Sequence, residues 1–184
     1  MLILCTASCA TAPKASPHTP VYITDSSKYT LLPPSNIDVP LDMPQQIAGR
    51  YGKQEFVMDA WALADEKEIN LVILNSFGSN MGELRFSAET LWFSSSLLPS
   101  SIKPGYIVAY FQFCFYRVDA LTRALKACGL DFQAEQGLTE SGDHIEIRTI
   151  TEGKKTIIEI EKTSTAVKYR NLLREYSYTL GGAF

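Results

Sequence analysis

The sequence offers few of the residues and motifs on which active sites are usually built. Its 184 residues include two histidines, His18 and His144, too few for a multi-histidine metal site. His144-Ile145-Glu146 resembles part of a nucleobase-deaminase motif, but the C-x-x-C pair that would complete it is missing. The sequence also lacks a G-x-S-x-G elbow and a G-x-x-x-x-G-K loop. We therefore predict that the protein is not an enzyme and uses no metal or cofactor.

Positive charge and long apolar runs are also scarce. The 17 Lys and Arg residues against 20 Asp and Glu residues give a net charge of −3, which argues against nucleic acid as a partner. The longest apolar run, Tyr106 to Tyr116, is roughly half as long as a membrane-spanning helix. Attachment to a membrane would therefore require an anchor.

The first residues suggest such an anchor. Thr6-Ala7-Ser8-Cys9 follows an apolar start and is similar to the lipobox, in which a cysteine is acylated and becomes the new N-terminus. Thr6 stands where Leu is usual, and no Lys or Arg precedes Cys9, so a short apolar N-terminus with a chance cysteine is the alternative. We predict a residual signal peptide at 1–8 and lipidation of Cys9. Ala10, rather than Asp, after Cys9 indicates a periplasm-facing position at the outer membrane.

The next segment has the composition of a spacer. Seven of the nine prolines lie before residue 45, among Ser, Thr and Lys. This composition is typical of a semi-extended tether, which we place at 9–44. The remaining residues, 45–184, are enough for one domain with a core of its own.

Within that domain, strand patterns flank a helical middle. Period-two alternation predicts strands at 53–64, 68–76, 81–87, 90–95, 130–139, 144–151 and 154–162, with one or two more at 167–180. Pro104 favours a helix start, and Gly129 has the position of a C′ glycine after a second, amphipathic helix. The predicted fold class is mainly β (α+β). It is a strongly curved antiparallel sheet forming an incomplete barrel of about 9–11 strands, covered by a mid-chain pair of helices.

Three side chains in this pattern call for comment. Cys114 and Cys128 lie in helical, apolar surroundings, so we expect two buried thiols rather than a disulfide. Phe77, between Ser76 and Gly78 at the tip between two strands, has poor access to a core. An ordinary core position is the alternative, but we predict that Phe77 is exposed for a functional reason.

The stretch around Phe77 resembles a known group. Leu71 to Leu84 reads apolar strand, Asn-Ser-Phe-Gly, polar turn, strand, and is similar to the outer-membrane receptor LolB of the LolA/LolB lipoprotein-carrier fold. There the turn reads Asn-Pro-Leu-Gly and its leucine protrudes to help pass lipoproteins to the membrane. The resemblance implies that Phe77 forms a membrane-insertion loop, although Ser76 replaces the proline.

A second resemblance, to an uncharacterised bacterial lipoprotein family with the same fold, extends over most of the chain. It rests on four motifs in order: Leu31-Leu32-Pro33-Pro34, Tyr51-Gly52 with Phe56, Asn75-Ser76-Phe77-Gly78, and Leu97-Leu98-Pro99. Members are often encoded near aryl-polyene and fatty-acid-synthase-like genes, beside a LolA-like partner. This implies that the protein handles a lipidic or polyene-like product.

These observations lead to two expectations for a monomeric protein. The first is an outer-membrane lipoprotein that binds a hydrophobic cargo in its half-barrel and aids its transfer to the membrane, with a LolA-like periplasmic carrier as a possible partner. The residues expected to line the cargo cavity are Phe56, Met58, Ile69, Leu71, Ile73, Leu84, Phe86, Phe111, Phe115, Leu121 and Leu125. The alternative is a structural or interaction lipoprotein whose interior is filled by its own side chains and which docks a partner protein.

Overall fold

The computed structural model describes residues 14–15, 20–51, 53–75, 77–96, 103–182 and 184. The lipidation site predicted at Cys9 and the motif Leu97-Leu98-Pro99 therefore lie outside the described residues.

A single curved sheet dominates the described part of the chain. Its eleven strands are β1 (Lys14–Ala15), β4 (Leu41–Tyr51), β5 (Gln54–Ala64), β6 (Ile69–Leu74), β7 (Asn80–Phe86), β8 (Leu91–Ser95), β9 (Asp131–Leu138), β10 (His144–Glu152), β11 (Lys155–Lys162), β12 (Ala166–Asn171) and β13 (Tyr176–Gly181). They lie in the order β1-β8-β7-β6-β5-β4-β13-β12-β11-β10-β9, with every neighbouring pair antiparallel. A separate two-stranded sheet pairs β2 (Val21–Tyr22) with β3 (Lys28–Tyr29).

The large sheet stays open, because its first and last strands, β1 and β9, do not pair with each other. The predicted incomplete barrel with two helices is therefore confirmed. Alternation along β5 shows how the sheet divides its two faces: Ala60 and Ala62 are buried on the concave side, whereas Val57 and Trp61 are exposed on the convex side.

Two helices fill the concave side. α1 (Pro104–Phe115) has proline in its first turn, where a missing N–H costs nothing, and α2 (Val118–Ala127) ends before Gly129 at φ 83°. α1 is buried along most of its length because it packs between the sheet and the N-terminal segment. Neither helix is long and apolar enough to cross a membrane.

The structure differs from the predicted tether over residues 20–44. Val21, Tyr29 and Ile37 are 2%, 1% and 4% exposed and belong to the same hydrophobic core as the sheet and helices. The buried Gln112 of α1 holds this segment in place: its Oε1 accepts from the Tyr29 hydroxyl at 2.7 Å and the Leu32 N–H at 3.1 Å, and its Nε2 donates to the Leu32 carbonyl at 2.7 Å. A proline-rich composition therefore did not prevent folding, because the apolar residues between the prolines reach the core.

Cys114 and Cys128 are both free thiols, as predicted. Cys114 is buried, and this burial raises the pKa of its thiol to about 12. Cys128 is only half-buried, because it lies at the end of α2.

Candidate functional site: the Phe77 rim

One end of the half-barrel carries the turn that contains Phe77. In an antiparallel sheet, alternate connections lie at the same end of the strands. We call this end the Phe77 rim and define it by the described residues of 50–55, 75–79, 95–103, 128–131, 152–155 and 171–176. We call the other end the opposite rim and define it by 38–42, 64–69, 86–91, 116–119, 138–144 and 162–166.

Phe77 is exposed, as the sequence predicts, and is 91% accessible to solvent. The turn that carries it is built from its own polar groups. The side-chain Oδ1 of Asn75 accepts from the N–H groups of Phe77 and Ser79, each at 2.9 Å, and Gly78 adopts φ 76°. Because these local bonds hold the backbone without help from the ring, the phenyl group projects into solvent.

A groove of about 330 Å³ lies at the same end of the sheet, on β13, β4 and β5, where the sheet has a glycine between two aromatic residues. Gly49 pairs with Phe56 on one neighbouring strand and with Tyr178 on the other. The Phe56 ring lies directly over Gly49, where the β-carbon of any other residue would clash with it. The groove is also lined by Val57 and by two opposite charges, Arg50 and its cross-strand neighbour Glu55. Its volume is at the lower end of the range for small-molecule sites.

Below the groove, tyrosines form a stacked cluster between the sheet and α1. The rings of Tyr169 and Tyr178 lie 4.7 Å apart and nearly parallel, and Tyr110 of α1 meets Tyr169 at 5.1 Å. Desolvation raises the pKa of the hydroxyl of each of these three tyrosines above its ordinary value. They therefore stay neutral and act as packed aromatic surface with hydrogen-bonding edges.

Most of the residues predicted to line a cargo cavity are packed into the core. The buried members are Ile69, Ile73, Leu84, Phe86, Phe111, Phe115, Leu121 and Leu125. Leu71 is half-buried against the same core. Phe56, at 40% exposure, and the half-buried Met58 are the two at the mouth of the half-barrel. The structure thus separates the predicted set into a filled interior and an accessible mouth.

The buried guanidinium of Arg148 was not predicted from the sequence. Arg148 of β10 is 1% exposed and reaches the C-terminal end of α1. Its Nη1 donates to the carbonyls of Phe113 at 3.0 Å and Tyr116 at 2.8 Å, and its Nε donates to Glu146 at 2.9 Å. These carbonyls belong to the last turn of the helix and lack helical partners, so Arg148 caps α1 from the sheet.

Comparison with known proteins gives a family and no function. No curated protein matches the chain. The family described as "Protein of unknown function (DUF3261)" matches residues 42–181, which include the strands of the Phe77 rim and both helices. The match spans most of the sequence, and the chain therefore belongs to the DUF3261 family.

Proposed function

We propose that this protein is a lipid-anchored outer-membrane lipoprotein that helps to transfer an acylated or polyene-like cargo into the membrane through its Phe77 rim. The observation that carries the proposal is the 91% exposure of Phe77 on a turn that is held by its own hydrogen bonds. Burying a phenylalanine side chain is favourable by roughly 1.5–3 kcal/mol, which an apolar partner of Phe77 would supply. The anchor is Cys9, and the LolB-like sequence around Phe77 supports a bilayer as that partner.

The groove beside Phe56 is the cargo site in this proposal. Its lining combines Phe56 and Val57 with the opposite charges of Arg50 and Glu55, which suits one apolar chain and the polar end of an amphiphile. Its volume of about 330 Å³ is too small to enclose a multiply acylated protein anchor. A cargo held here would remain partly exposed, close to the membrane-facing turn, so its onward transfer would need no opening of the core.

Mass spectrometry of the natively purified protein tests for a cargo. The full chain is purified gently from its native host, extracted under denaturing conditions and analysed for lipids. A stoichiometric acylated or polyene species, beyond the lipid attached to Cys9, would support the proposal and identify the cargo. Repeated recovery of an empty protein would contradict it.

Transfer to vesicles tests the role of Phe77. We expect Phe77→Glu to reduce transfer of the recovered cargo to outer-membrane vesicles about tenfold or more. The substitution removes the burial of a phenyl ring, which is favourable by roughly 1.5–3 kcal/mol, and puts in its place a charge that is costly to bury. Leu138→Glu is the matched control, since Leu138 is also exposed, at 65%, but lies on the opposite rim. Unchanged transfer by Phe77→Glu would refute the insertion role.

A second function is favoured by a different observation. Eight of the eleven predicted cavity residues are buried in the core, which is what an interaction lipoprotein with a filled half-barrel would show. In that case the apolar convex surface, with Trp61 and Leu63 at 42% and 48% exposure, is the surface for a partner protein. An empty protein that co-purifies stoichiometrically with one partner, and loses it in Leu63→Glu, would favour this function.

A further inference from the structure

The two rims of the half-barrel carry opposite charge. The Phe77 rim has six basic residues against four acidic ones, Glu55, Asp131, Glu152 and Glu175. The basic residues are Arg50, Lys53, Lys103, Lys154, Lys155 and Arg174, all exposed. The opposite rim has three basic residues against nine acidic ones, namely Asp38, Asp42, Asp65, Glu66, Glu68, Glu89, Asp119, Glu140 and Asp143. A chain of net charge −3 therefore turns its positive end toward the side on which Phe77 projects.

The basic residues of the Phe77 rim are available to an outside partner. None of the six forms an ion pair within the described part of the chain. Among these six side chains, Arg174 alone donates a hydrogen bond within the described residues, to the Tyr22 carbonyl at 3.2 Å, and this bond leaves its charge uncompensated. The acidic residues of the opposite rim have little electrostatic effect at the Phe77 rim, because an 11-residue strand such as β5 is about 35 Å long. That length exceeds the Debye length of roughly 8–10 Å at moderate salt.

The path of the N-terminal chain points to the same end. β1 pairs Lys14 with Trp92 and Ala15 with Leu91, so the direction from Ala15 to Lys14 runs toward Ser95 and the Phe77 rim. Four residues separate Cys9 from Lys14, and the five Cα-to-Cα steps between them span about 18 Å at most. A lipid on Cys9 and the phenyl ring of Phe77 can thus enter one surface together.

The geometry points to an anionic bilayer surface as the partner of the Phe77 rim. The inference rests on the proposed function in that Phe77 supplies the apolar contact, and it adds the lipid class and the orientation. The basic residues attract negatively charged headgroups, the acidic opposite rim faces away from them, and the mouth of the half-barrel with its groove lies at the bilayer.

Vesicle binding tests this inference with the full chain as Cys9→Ser, so that acyl chains do not dominate. One set of vesicles is phosphatidylcholine alone, and the other contains phosphatidylglycerol at about one third. Each basic residue near an anionic surface contributes roughly fivefold in partitioning. We therefore expect Lys53→Glu and Lys154→Glu each to weaken binding to the anionic vesicles 5- to 25-fold, and to leave binding to the neutral vesicles unchanged.

Lys67→Glu is the matched control, because it makes the same change in net charge at an exposed position of the opposite rim. It should leave binding to the anionic vesicles within twofold of the parent. The inference is overturned if Lys67→Glu weakens binding to the anionic vesicles as much as Lys53→Glu and Lys154→Glu do, or if those two variants bind as tightly as the parent. It is also overturned if the parent shows no preference for anionic vesicles.

Phe77→Ser separates this inference from the proposed function. It should weaken binding to both kinds of vesicle by a similar factor, because it removes an apolar contact and no charge. Loss of binding in Phe77→Ser without any effect of the lysine variants would leave the proposed function intact and refute the charged rim. The reverse pattern would keep the charged rim and refute insertion of Phe77.

Discussion

Replacing Arg148 by methionine should be among the most destabilising single changes in this protein. Arg148 is 1% exposed, and its guanidinium holds two carbonyls at the end of α1 and the carboxylate of Glu146. Methionine fills a similar volume but donates no hydrogen bond. Phe113 and Tyr116 then keep buried carbonyls without partners, and Glu146, with a side chain 15% exposed, keeps a charge without one.

The size of the loss follows from these orphaned groups. Breaking a buried ion pair by removing one partner costs about 3–5 kcal/mol. Each unsatisfied buried carbonyl costs about 1–3 kcal/mol, and the two terms overlap because the same guanidinium serves both. We expect Arg148→Met to lower the free energy of unfolding by about 4 kcal/mol. Glu146→Leu in the same chain should recover part of this loss, because it removes the unpaired charge and leaves the carbonyls unsatisfied.

Urea unfolding, followed by circular dichroism, measures these differences. Arg170→Met is the matched control, since Arg170 also pairs with strand glutamates, Glu159 and Glu161, but its side chain is 51% exposed. An exposed ion pair of this kind contributes about 0–1 kcal/mol. If Arg148→Met costs no more than Arg170→Met, the helix cap that we assign to Arg148 does not stabilise the fold.

Two further predictions concern buried titratable groups. Burial raises the pKa of Tyr169 well above 10, so above pH 10 the unfolded chain ionises this tyrosine first and stability falls by about 1.4 kcal/mol per pH unit for each such group. Tyr169→Phe should make the fall of unfolding free energy above pH 10 shallower, and an unchanged slope would contradict the assignment. Since Cys114 is buried with a pKa of about 12, a thiol reagent at pH 8 should label Cys128 in the folded protein and Cys114 only after unfolding, in a chain with Cys5 and Cys9 replaced by serine. Labelling of both thiols at equal rates would show that the core opens readily.

The sequence predicted the elements whose signals are local. The alternation in β5, the proline that begins α1 and the glycine after α2 each act over a few residues, and each appears in the structure at the expected place. Phe77 was predicted for the same reason, because a bulky apolar residue next to glycine in a short polar turn has no access to the core.

Features that depend on distant contacts were missed. β4 was missed because the prolines up to Pro44 placed its first residues in the predicted tether. In the structure, β13 pairs with β4 only from Gln46 to Tyr51. At Pro44 the strand has β5 alone as its neighbour, so the missing N–H is tolerated there. Arg148 was missed because its sequence neighbours Ile147 and Thr149 alternate with charged residues, a pattern typical of a charge that faces solvent. Arg148 is favourable on the concave face because the carbonyls at the end of α1, which is distant in the sequence, accept its hydrogen bonds.

Because the interior of the half-barrel is filled, a cargo could enter it only by displacing α1. Five hydrogen bonds connect α1 to segment 29–32 and to β10 through Gln112 and Arg148. At about 1 kcal/mol of net stabilisation each, these bonds alone oppose displacement of the helix by roughly 5 kcal/mol, before the apolar contacts of α1 are counted. A cargo that entered the core would have to bind the opened form at least 10³- to 10⁴-fold more tightly than the closed form. A partner at the Phe77 rim meets a surface that is already formed, and this difference favours the rim, rather than the core, as the place where cargo and membrane are bound.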